Sequence, residues 1–255
     1  YKPSRENQLK DERFFVQSLV TDNPFISKHY ISNLQKLDKA SRERLLYGNW
    51  DYDEDPSVLI DYEKSVDLFT NDFVKGGVKY ITADIARLGD DKTVIRVWDG
   101  LRSIKRYELA KMRVDDVSNK IRQIQAEFNV PNSNTICDED GVGGGVVDTL
   151  RCIGFVNNSK QIELAGQKFN YSNLRSQCYF KLADYVNSNL IYLSDSDVSI
   201  REKITEELGE IKQKDIDKDG KLIIVPKDAI KRNLGRSPDD SDCLMMRMYF
   251  EIKPI

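Results

Sequence analysis

Two apolar stretches of this chain each end in an aspartate, and this pattern constrains the fold more than any other. The first stretch, VKYITAD, ends at Asp84, and the second, TICD, ends at Asp138. Apolar runs of this length are typical of buried β-strands. A carboxylate at the end of a buried strand needs a partner for its charge. The two aspartates therefore suggest a metal site built from two strand ends.

A third acidic element lies in KDAIKRNLGRSPDDSDCLMMRMYF near the end of the chain. The pattern predicts a buried helix with Ser237 as N-cap, Pro238 as first residue and Asp240 completing a capping box, a structural role. Asp239 and Asp242 are three residues apart and would share one face of this helix. A carboxylate on a mostly apolar helix needs a partner, and a divalent cation shared with other acids is one.

The composition narrows the class of protein. The chain has 255 residues, enough for a large core, and begins at Tyr1, so we expect a fragment of a longer protein. With a formal net charge of -3, a nucleic-acid-binding surface would have to gather its positive residues on one face. No signal peptide or membrane-length apolar run is visible. The four cysteines lack metal-ligand spacing and suggest reduced core residues of an intracellular protein: Cys137, Cys152, Cys178 and Cys243.

The only histidine, His29, lies in a different segment from every acidic motif. A catalytic triad or a His-ligated zinc site needs a histidine beside the other functional groups. An all-carboxylate site remains, and hard oxygen ligands favour Mg2+ or Mn2+.

The chain divides into two regions by pattern. Residues 1–65 combine amphipathic helices with an acidic, loop-like stretch, which predicts a helical linker or the tail of a preceding domain. The pattern of residues 66–255 predicts four strands, near 78–84, 93–98, 103–109 and 134–138. It predicts helices at 115–128, directly after Asp138, at 172–188, at 199–208 and near the end of the chain, and the helix at 199–208 would open with a Ser199/Glu202 capping box. A hairpin is predicted around Asp219-Gly220.

This order of elements predicts an α/β fold of the RNase H-like type, a mixed central sheet flanked by helices. In that fold the first and fourth strands lie side by side at the sheet centre. Asp84 and Asp138 would then meet, and the last helix would bring Asp242 alongside them.

The chain resembles the C-terminal nuclease domain of the large terminase subunit of tailed double-stranded DNA bacteriophages. The stretches that carry the resemblance run in the family's order: DNPFISKHYISNLQKL, LLYGNWD, ADIARLGDDKTV, DEDGVGGGVVDTL, FNYSNLRSQCYFKLAD and KDAIKRNLGRSPDDSDCL. The P-loop motif of the family's ATPase half does not occur, so the motor activity is not encoded here. Cys243 departs mildly from the family, where a small residue such as alanine often follows the last aspartate.

The resemblance implies an endonuclease that cuts concatemeric phage DNA at the start and end of packaging, by hydrolysis with two Mg2+ or Mn2+ ions. In two-ion hydrolysis one ion activates water and the other stabilises the leaving oxygen. For this chemistry we assign Asp84 as the ligand that bridges the two ions, Asp138 as a ligand of one ion and Asp242 as a ligand of the other. Asp239 is the alternative to Asp242. Two further acids, Asp90 and Asp91, would hold a water molecule that is bound to a metal ion.

Positive residues beside the acidic motifs are candidates for holding DNA phosphates, strongest from Lys227 to Arg236. They are Arg87, Lys92, Lys227, Lys231, Arg232 and Arg236. The expected partners are double-stranded DNA and, through the resemblance, the small terminase subunit and the portal protein, with no membrane. The expected location is the host cytoplasm, without secretion.

Two patterns resemble binding loops without satisfying them. The first is a glycine run after Asp138, made of Gly141, Gly143, Gly144 and Gly145. A dinucleotide-binding loop requires glycine at position 146, where this chain has valine. We therefore expect the glycine run to let DNA backbone or a neighbouring loop approach Asp138. DIDKDGKLIIVP begins like a calcium loop, but its twelfth residue is Pro226 where glutamate is required, which favours a hairpin.

The residues leave other functions open. An RNase H-like resolvase or transposase would share the fold and the acids, but would not explain the DNPF and LLYGNW motifs. In a non-catalytic alternative the chain is a docking domain for DNA or the portal, and the acids are structural. Glu139 and Asp140 could equally be ordinary loop acids.

Overall fold

The computed structural model describes residues 57–86, 92–110, 112–164, 166, 169–214 and 220–252, and a few isolated positions before residue 57. The chain divides into two compact units, Tyr1–Pro56 and Ser57–Ile255, and every element below lies in the second. Arg87, Asp90, Asp91 and His29 lie outside the described residues. The boundary expected near residue 65 stays a prediction.

A six-stranded mixed sheet forms the centre of this unit, with strand order β5-β4-β1-β2-β3-β6. The first three strands are antiparallel neighbours, whereas β4 runs parallel to β1, β5 parallel to β4, and β6 parallel to β3. The strands are β1 (Lys79–Asp84), β2 (Thr93–Asp99), β3 (Arg102–Leu109), β4 (Thr135–Asp138), β5 (Ile153–Phe155) and β6 (Tyr192–Leu193).

Helices connect and cover these strands. A short antiparallel pair, β7 (Gln213–Lys214) and β8 (Ile223–Ile224), stands apart from the main sheet. The helices of the described residues are α1 (Tyr62–Asp67), α2 (Val114–Phe128), α3 (Gly143–Leu150), α4 (Leu174–Asn187), α5 (Val198–Gly209), α6 (Lys227–Leu234), α7 (Asp239–Arg247) and α8 (Tyr249–Ile252). None of them is both long and apolar enough to cross a bilayer.

The two faces of the sheet build two separate cores. Ile81, Ala83 and Cys137 pack with α2 and α3 on one face. Val94 and Ile136 pack with α4, α5 and α7 on the other. Successive side chains of a strand point to opposite faces of the sheet, so the alternation along β1 and β4 decides which of their residues face α7.

The predicted RNase H-like α/β fold is confirmed. After residue 65, every predicted strand and helix within the described residues is found within a few residues of its expected bounds. The turn of the hairpin predicted around Asp219-Gly220 includes residues 215–219, which lie outside the described residues. The sequence reading missed β5 and β6, which extend the sheet at its two edges. Both are only two or three residues long, too short to produce a recognisable alternation.

Both predicted capping boxes are wrong. Helix α5 is capped by Asp197, whose carboxylate accepts the backbone N–H of Ser199, so Ser199 is already inside the helix. Helix α7 has Pro238 as N-cap, with no side-chain cap of its own. Its third N–H, that of Ser241, is satisfied from another helix, by Oε2 of Glu207 at 2.8 Å.

Candidate metal centre

Asp84 and Asp138 end two neighbouring parallel strands. The register between β1 and β4 pairs Thr82 with Ile136 and Ala83 with Cys137, so the two aspartates follow side by side. Asp84 shares its strand face with Thr82, and Asp138 shares its face with Ile136, which belongs to the core under α7. Both carboxylates are buried and lie on the face of the sheet that packs against α7.

Helix α7 brings further acids to the same edge of the sheet. The thiol of Cys243 lies 3.2 Å from the carbonyl oxygen of Val94, so the helix packs directly against the strands. The first turn of α7 places Asp239 and Asp242 on one face, and both are buried. The Cys243 side chain still permits this close approach, although it departs from the alanine common at this position in the family that the chain resembles.

A cleft of about 550 Å³ opens over these acids. Its lining is mixed in charge, because the acids alternate with cations and side-chain amides. Asp242 is not among the lining residues, since Lys227 lies between it and the cleft. The charged lining residues include Asp84, Asp138, Asp140, Asp239, Arg175, Lys227 and Lys231.

Lys227, the first residue of α6, joins two of the carboxylates. Its Nζ lies 2.6 Å from Oδ2 of Asp242 and 3.5 Å from Oδ2 of Asp84. Apart from this ammonium, neither Oδ2 has a hydrogen-bond partner among the described residues. The pKa of Lys227 is raised well above its ordinary value, because the charges of Asp242 and Asp84 outweigh the opposing effect of burial.

Tyr179 of α4 orients Asp242 from the side away from Lys227. Its hydroxyl donates to Oδ1 of Asp242 at 2.6 Å. The guanidinium of Arg175 stacks on the Tyr179 ring, 4.8 Å from its centroid. One carboxylate oxygen of Asp242 is therefore held by a tyrosine, and the other points to the ammonium.

Asp138 is fixed by the loop that follows it. Its Oδ1 accepts the backbone N–H of Asp140 at 3.1 Å and lies 3.4 Å from Nδ2 of Asn157. The same amide nitrogen donates to Oδ2 of Asp140 at 2.8 Å. Asp140, which the sequence left as a possible loop acid, thus lies in the cleft and helps to position Asp138 through a shared asparagine.

Crowding and burial separate the pKa values of the acids. Burial raises the pKa of Asp84 well above its ordinary value, and the charges of Asp242 and Asp138 add to this, against the effect of Lys227. Burial raises the pKa of Asp138 to about 6, although Lys227 and the N–H of Asp140 oppose it. Burial also raises the pKa of Asp239. These shifts come mainly from burial, which disfavours the ionised form of each carboxyl.

Asp242 behaves in the opposite way. Burial alone would raise its pKa, but the charges of Lys227 and Arg175 and the hydrogen bonds from Lys227 and Tyr179 hold the pKa below its ordinary value. Asp242 is therefore the carboxylate of the group that keeps its negative charge most readily.

The arrangement fits divalent cations in chemistry, although the side chains are not yet converged. No three His, Cys, Asp or Glu side chains within the described ranges lie at metal-ligating distances of one point. The ammonium of Lys227 contacts the outer oxygens of two of the acids, Asp84 and Asp242. Oxygen atoms of several carboxylates with few other partners are the donor set that Mg2+ and Mn2+ prefer.

Asp240 turns away from the cleft into a buried ion-pair network. Its Oδ1 lies 2.8 Å from Nη2 of Arg96 and 2.8 Å from Nε of Arg106, and Lys203 lies 3.3 Å from its Oδ2. The predicted structural role of Asp240 is therefore found, with ion pairing in place of capping. The network ties the start of α7 to β2, β3 and α5, which sets the direction of Asp239 and Asp242.

The positive residues selected from the sequence separate into two groups. Lys227 and Lys231 line the cleft, and Arg232 is exposed on the same helix. Arg236 is held by α5, with Nη2 2.8 Å from Glu206, and Lys92 pairs with Glu108. Arg87 lies outside the described residues. Phosphate binding by any of these residues stays a prediction.

The glycine run has one position where close contact requires glycine. A Cβ on Gly143 would lie 1.7 Å from the carbonyl oxygen of Asp138, so α3 begins directly against the strand end. Gly141 adopts a positive φ of 75° in the turn before the helix. A Cβ on Gly144 would lie at an ordinary distance of 3.6 Å from the carbonyl oxygen of Glu139, and a Cβ on Gly145 would lie 3.2 Å from the side chain of Val114. The neighbouring segment that approaches Asp138 is thus the start of α3 itself.

Sequence reasoning overlooked Arg175, Tyr179 and Asn157. Arg175 and Tyr179 lie four residues apart on α4, on the face that also carries the buried Cys178 and Leu182. A long polar side chain on the apolar face of a helix was the available signal. Asn157 had none, because it lies in a loop and acts only through its distance to two aspartates.

The fold is that of large terminase nuclease domains. The nuclease domain of the large terminase subunit of bacterial virus Sf6 superposes with a TM-score of 0.65 and 20% identity, over 75% of this chain and 98% of that domain. A mutant form of the same domain with manganese and beta-thujaplicinol gives the same values. A mutant form with calcium gives a TM-score of 0.65 at 19% identity, over the same shares of both chains.

No protein-family model and no curated protein sequence matches this chain. The likeness to the Sf6 domain therefore rests on backbone geometry, over nearly all of that domain and three quarters of this chain. The resemblance inferred from the motifs is confirmed at the level of the fold, and the chain has the architecture of a large terminase nuclease domain.

Proposed function

We propose that this chain is the nuclease part of a phage large terminase subunit, a divalent-metal-dependent endonuclease that cuts concatemeric DNA during packaging. One observation carries the proposal: two aspartates at adjacent parallel strand ends lie at one cleft with Asp239 of α7, and Lys227 joins Asp242 of the same helix to Asp84, in a large terminase nuclease fold. A structural role alone does not explain this gathering, because burial raises the pKa of Asp84 well above its ordinary value and destabilises its ionised form.

In this proposal Asp84, Asp138 and Asp242 hold two Mg2+ or Mn2+ ions, which when bound would activate the attacking water and stabilise the leaving oxygen. Asp84 neighbours Asp138 at the strand ends and shares the ammonium of Lys227 with Asp242, which makes it the candidate bridge. Tyr179 holds Oδ1 of Asp242, so that only Oδ2 is turned toward the ions. Asn157 and the N–H of Asp140 hold Oδ1 of Asp138 in the same manner.

Lys227 has to yield its place for Asp242 to act as a ligand, since its ammonium contacts Oδ2. Asp239 already lines the cleft and is the alternative ligand. The candidates one step out from the ions, Asp90 and Asp91, remain part of the proposal. The predicted phosphate-holding residues remain so too, with Lys231 the best placed, because it lines the cleft.

The test is cleavage of supercoiled plasmid by the purified chain in Mn2+ or Mg2+, with EDTA as the metal-free control. We expect nicking and linearisation that Asp84→Asn abolishes and that Asp148→Asn, a change of the same kind at an exposed residue of α3, leaves intact. Loss of cleavage in Asp242→Asn but not in Asp239→Asn would identify the ligand. Equal cleavage by wild-type protein and Asp84→Asn would refute the metal centre.

A folded wild-type chain that binds double-stranded DNA but never cuts would instead support a docking domain. The proposal includes the small terminase subunit and the portal protein as partners and the host cytoplasm as the location. Binding of the purified small subunit or portal, measured by light interferometry, tests each partner separately from cleavage.

A further inference from the structure

Arg175 carries two unused hydrogen-bond donors in the wall of the cleft. It is the second residue of α4 and only 7% exposed. Its Nη1 donates to the carbonyl oxygen of Val225 at 3.0 Å. Its Nε and Nη2 are buried and have no hydrogen-bond partner among the described residues. Buried donors in native structures are nearly always paired, so this edge of the guanidinium points to a missing ligand.

The unused atoms define the shape of that ligand. Nε and Nη2 lie on the same side of the planar guanidinium and carry two parallel N–H groups. Two oxygens of one phosphate or carboxylate match this fork, whereas the point charge of a lysine ammonium offers no such geometry. The residues that line the cleft around Arg175 already include five aspartates, so an additional protein carboxylate would only add to the negative charge there.

The neighbouring donors cannot serve the same ligand. The backbone N–H of Leu174 donates to the carbonyl oxygen of Ser159, and that of Ser176 donates to the Asn173 side chain. The N–H groups of this first turn are therefore already paired with protein oxygens. Among these residues of α4, Arg175 lines the cleft and has two buried side-chain donors without a partner in the described part of the chain.

The rest of the side chain is held rigidly, which a binding fork needs. The guanidinium stacks on the Tyr179 ring, 4.8 Å from its centroid, and the bond to Val225 fixes its rotation. Such preorganisation lowers the entropy lost when a ligand binds. The stack also places the positive charge near Asp242, the carboxylate that the Tyr179 hydroxyl contacts.

We propose that Arg175 binds a single phosphate of the DNA backbone through Nε and Nη2, beside the carboxylates of the cleft. The proposal rests on the proposed function, in that it takes DNA as the ligand. Arg175 thereby fixes which phosphate of the strand comes to Asp84 and Asp138. Phosphate contacts of this kind set the register of a duplex without reading its sequence.

The test is binding of short labelled duplexes in EDTA, measured by fluorescence anisotropy, with one backbone linkage at a time replaced by an uncharged methylphosphonate. We expect one linkage at which the replacement weakens wild-type binding roughly tenfold, as for the loss of a charge-assisted pair. For Arg175→Met the same replacement should change binding less than about twofold. For Arg175→Lys, which keeps the charge without the fork, the effect should be intermediate.

A control variant separates phosphate binding at the cleft from the general loss of a positive charge. Arg113→Met, a change at an exposed arginine before α2, should keep the wild-type methylphosphonate profile. Thermal melting of each variant establishes that it is folded, and Arg175→Lys serves if Arg175→Met is not.

The outcomes are distinct. An identical methylphosphonate profile in wild-type protein and both Arg175 variants would overturn the phosphate site, and a wild-type profile in Arg175→Lys would overturn the role of the fork. Because binding is measured without metal, a wild-type chain that shows the Arg175-dependent linkage but never cuts would refute the nuclease and keep the phosphate site. Cleavage by wild-type protein with no Arg175-dependent linkage would do the reverse.

Discussion

The ammonium of Lys227 lies 2.6 Å from Oδ2 of Asp242, at the oxygen that a metal ion would need. A protein cation and a divalent ion cannot both occupy the surroundings of this oxygen. Lys227 thus partly neutralises Asp84 and Asp242, and under the proposed function its ammonium would compete with a metal ion for their oxygens.

Replacing Lys227 with methionine should raise the affinity for Mn2+. The ammonium would no longer compete for Asp84 and Asp242, and a neighbouring charge of this kind commonly shifts such equilibria by about tenfold or more. Isothermal titration with Mn2+ measures the change, and Arg232→Met, at an exposed residue of the same helix, is the matched control. The melting temperature of the variant should fall without metal and recover with Mn2+. Unchanged affinity would contradict the competition.

Asp84→Asn should stabilise the metal-free protein. The pKa of Asp84 is raised in the folded state, mainly by burial, so its carboxyl favours folding at low pH and this contribution is lost as the pH rises through the folded-state pKa. A neutral amide avoids that loss. We expect a gain of about 1 kcal/mol at neutral pH, or about 2–4 °C in Tm for a chain of this size.

The gain should disappear below about pH 4, where the aspartate is protonated in both states. Differential scanning calorimetry in EDTA at acidic and neutral pH measures this. A lower Tm for Asp84→Asn at neutral pH would show that pairing with Lys227 outweighs the burial of the carboxylate.

Mn2+ binding should weaken as the pH falls through about 6. Burial raises the pKa of Asp138 to about 6, and a protonated carboxyl must release its proton before it can bind the ion. Below this pH the affinity should fall about tenfold per pH unit for each proton released. Titrations between about pH 5 and pH 8 test this, and a constant affinity over that range would argue against Asp138 as a ligand.

Asp240→Asn should destabilise the protein far more than Asp239→Asn. Asp240 and Arg96 are fully buried, and removing one partner leaves an uncompensated charge, which costs about 3–5 kcal/mol. The pKa of Asp240 lies below its ordinary value because the charges of Arg96 and Arg106 outweigh burial. Its contribution is therefore present above the ordinary pKa and is lost as the pH falls toward the folded-state value.

Urea unfolding of both variants at neutral pH provides the comparison. Asp239 has a pKa raised by burial, so its replacement should cost little or should stabilise. Similar losses for the two variants would mean that the ion-pair network around Asp240 contributes no more than an ordinary buried carboxylate.

The strands and helices were predictable because their apolar periodicities are local. The strand that ends at Asp84, the one that ends at Asp138 and the helix from Val114 to Phe128 all lie where the pattern places them. The caps were not predictable in the same way. Ser237 and Ser199 have suitable chemistry, but Glu207 and Asp197 provide the bonds, and Glu207 comes from another helix.

The sequence by itself determined the order of the longer strands and helices and placed an acid at the end of two strands and on α7, because alternation and helical spacing are properties of neighbouring residues. Only the tertiary structure decided that Lys227 pairs with Asp242, that Asp240 turns to Arg96, and that Arg175 keeps two buried donors unpaired among the described residues. These relationships join residues far apart in the chain, and each depends on burial and distance, which exist only after the sheet and its helices have packed.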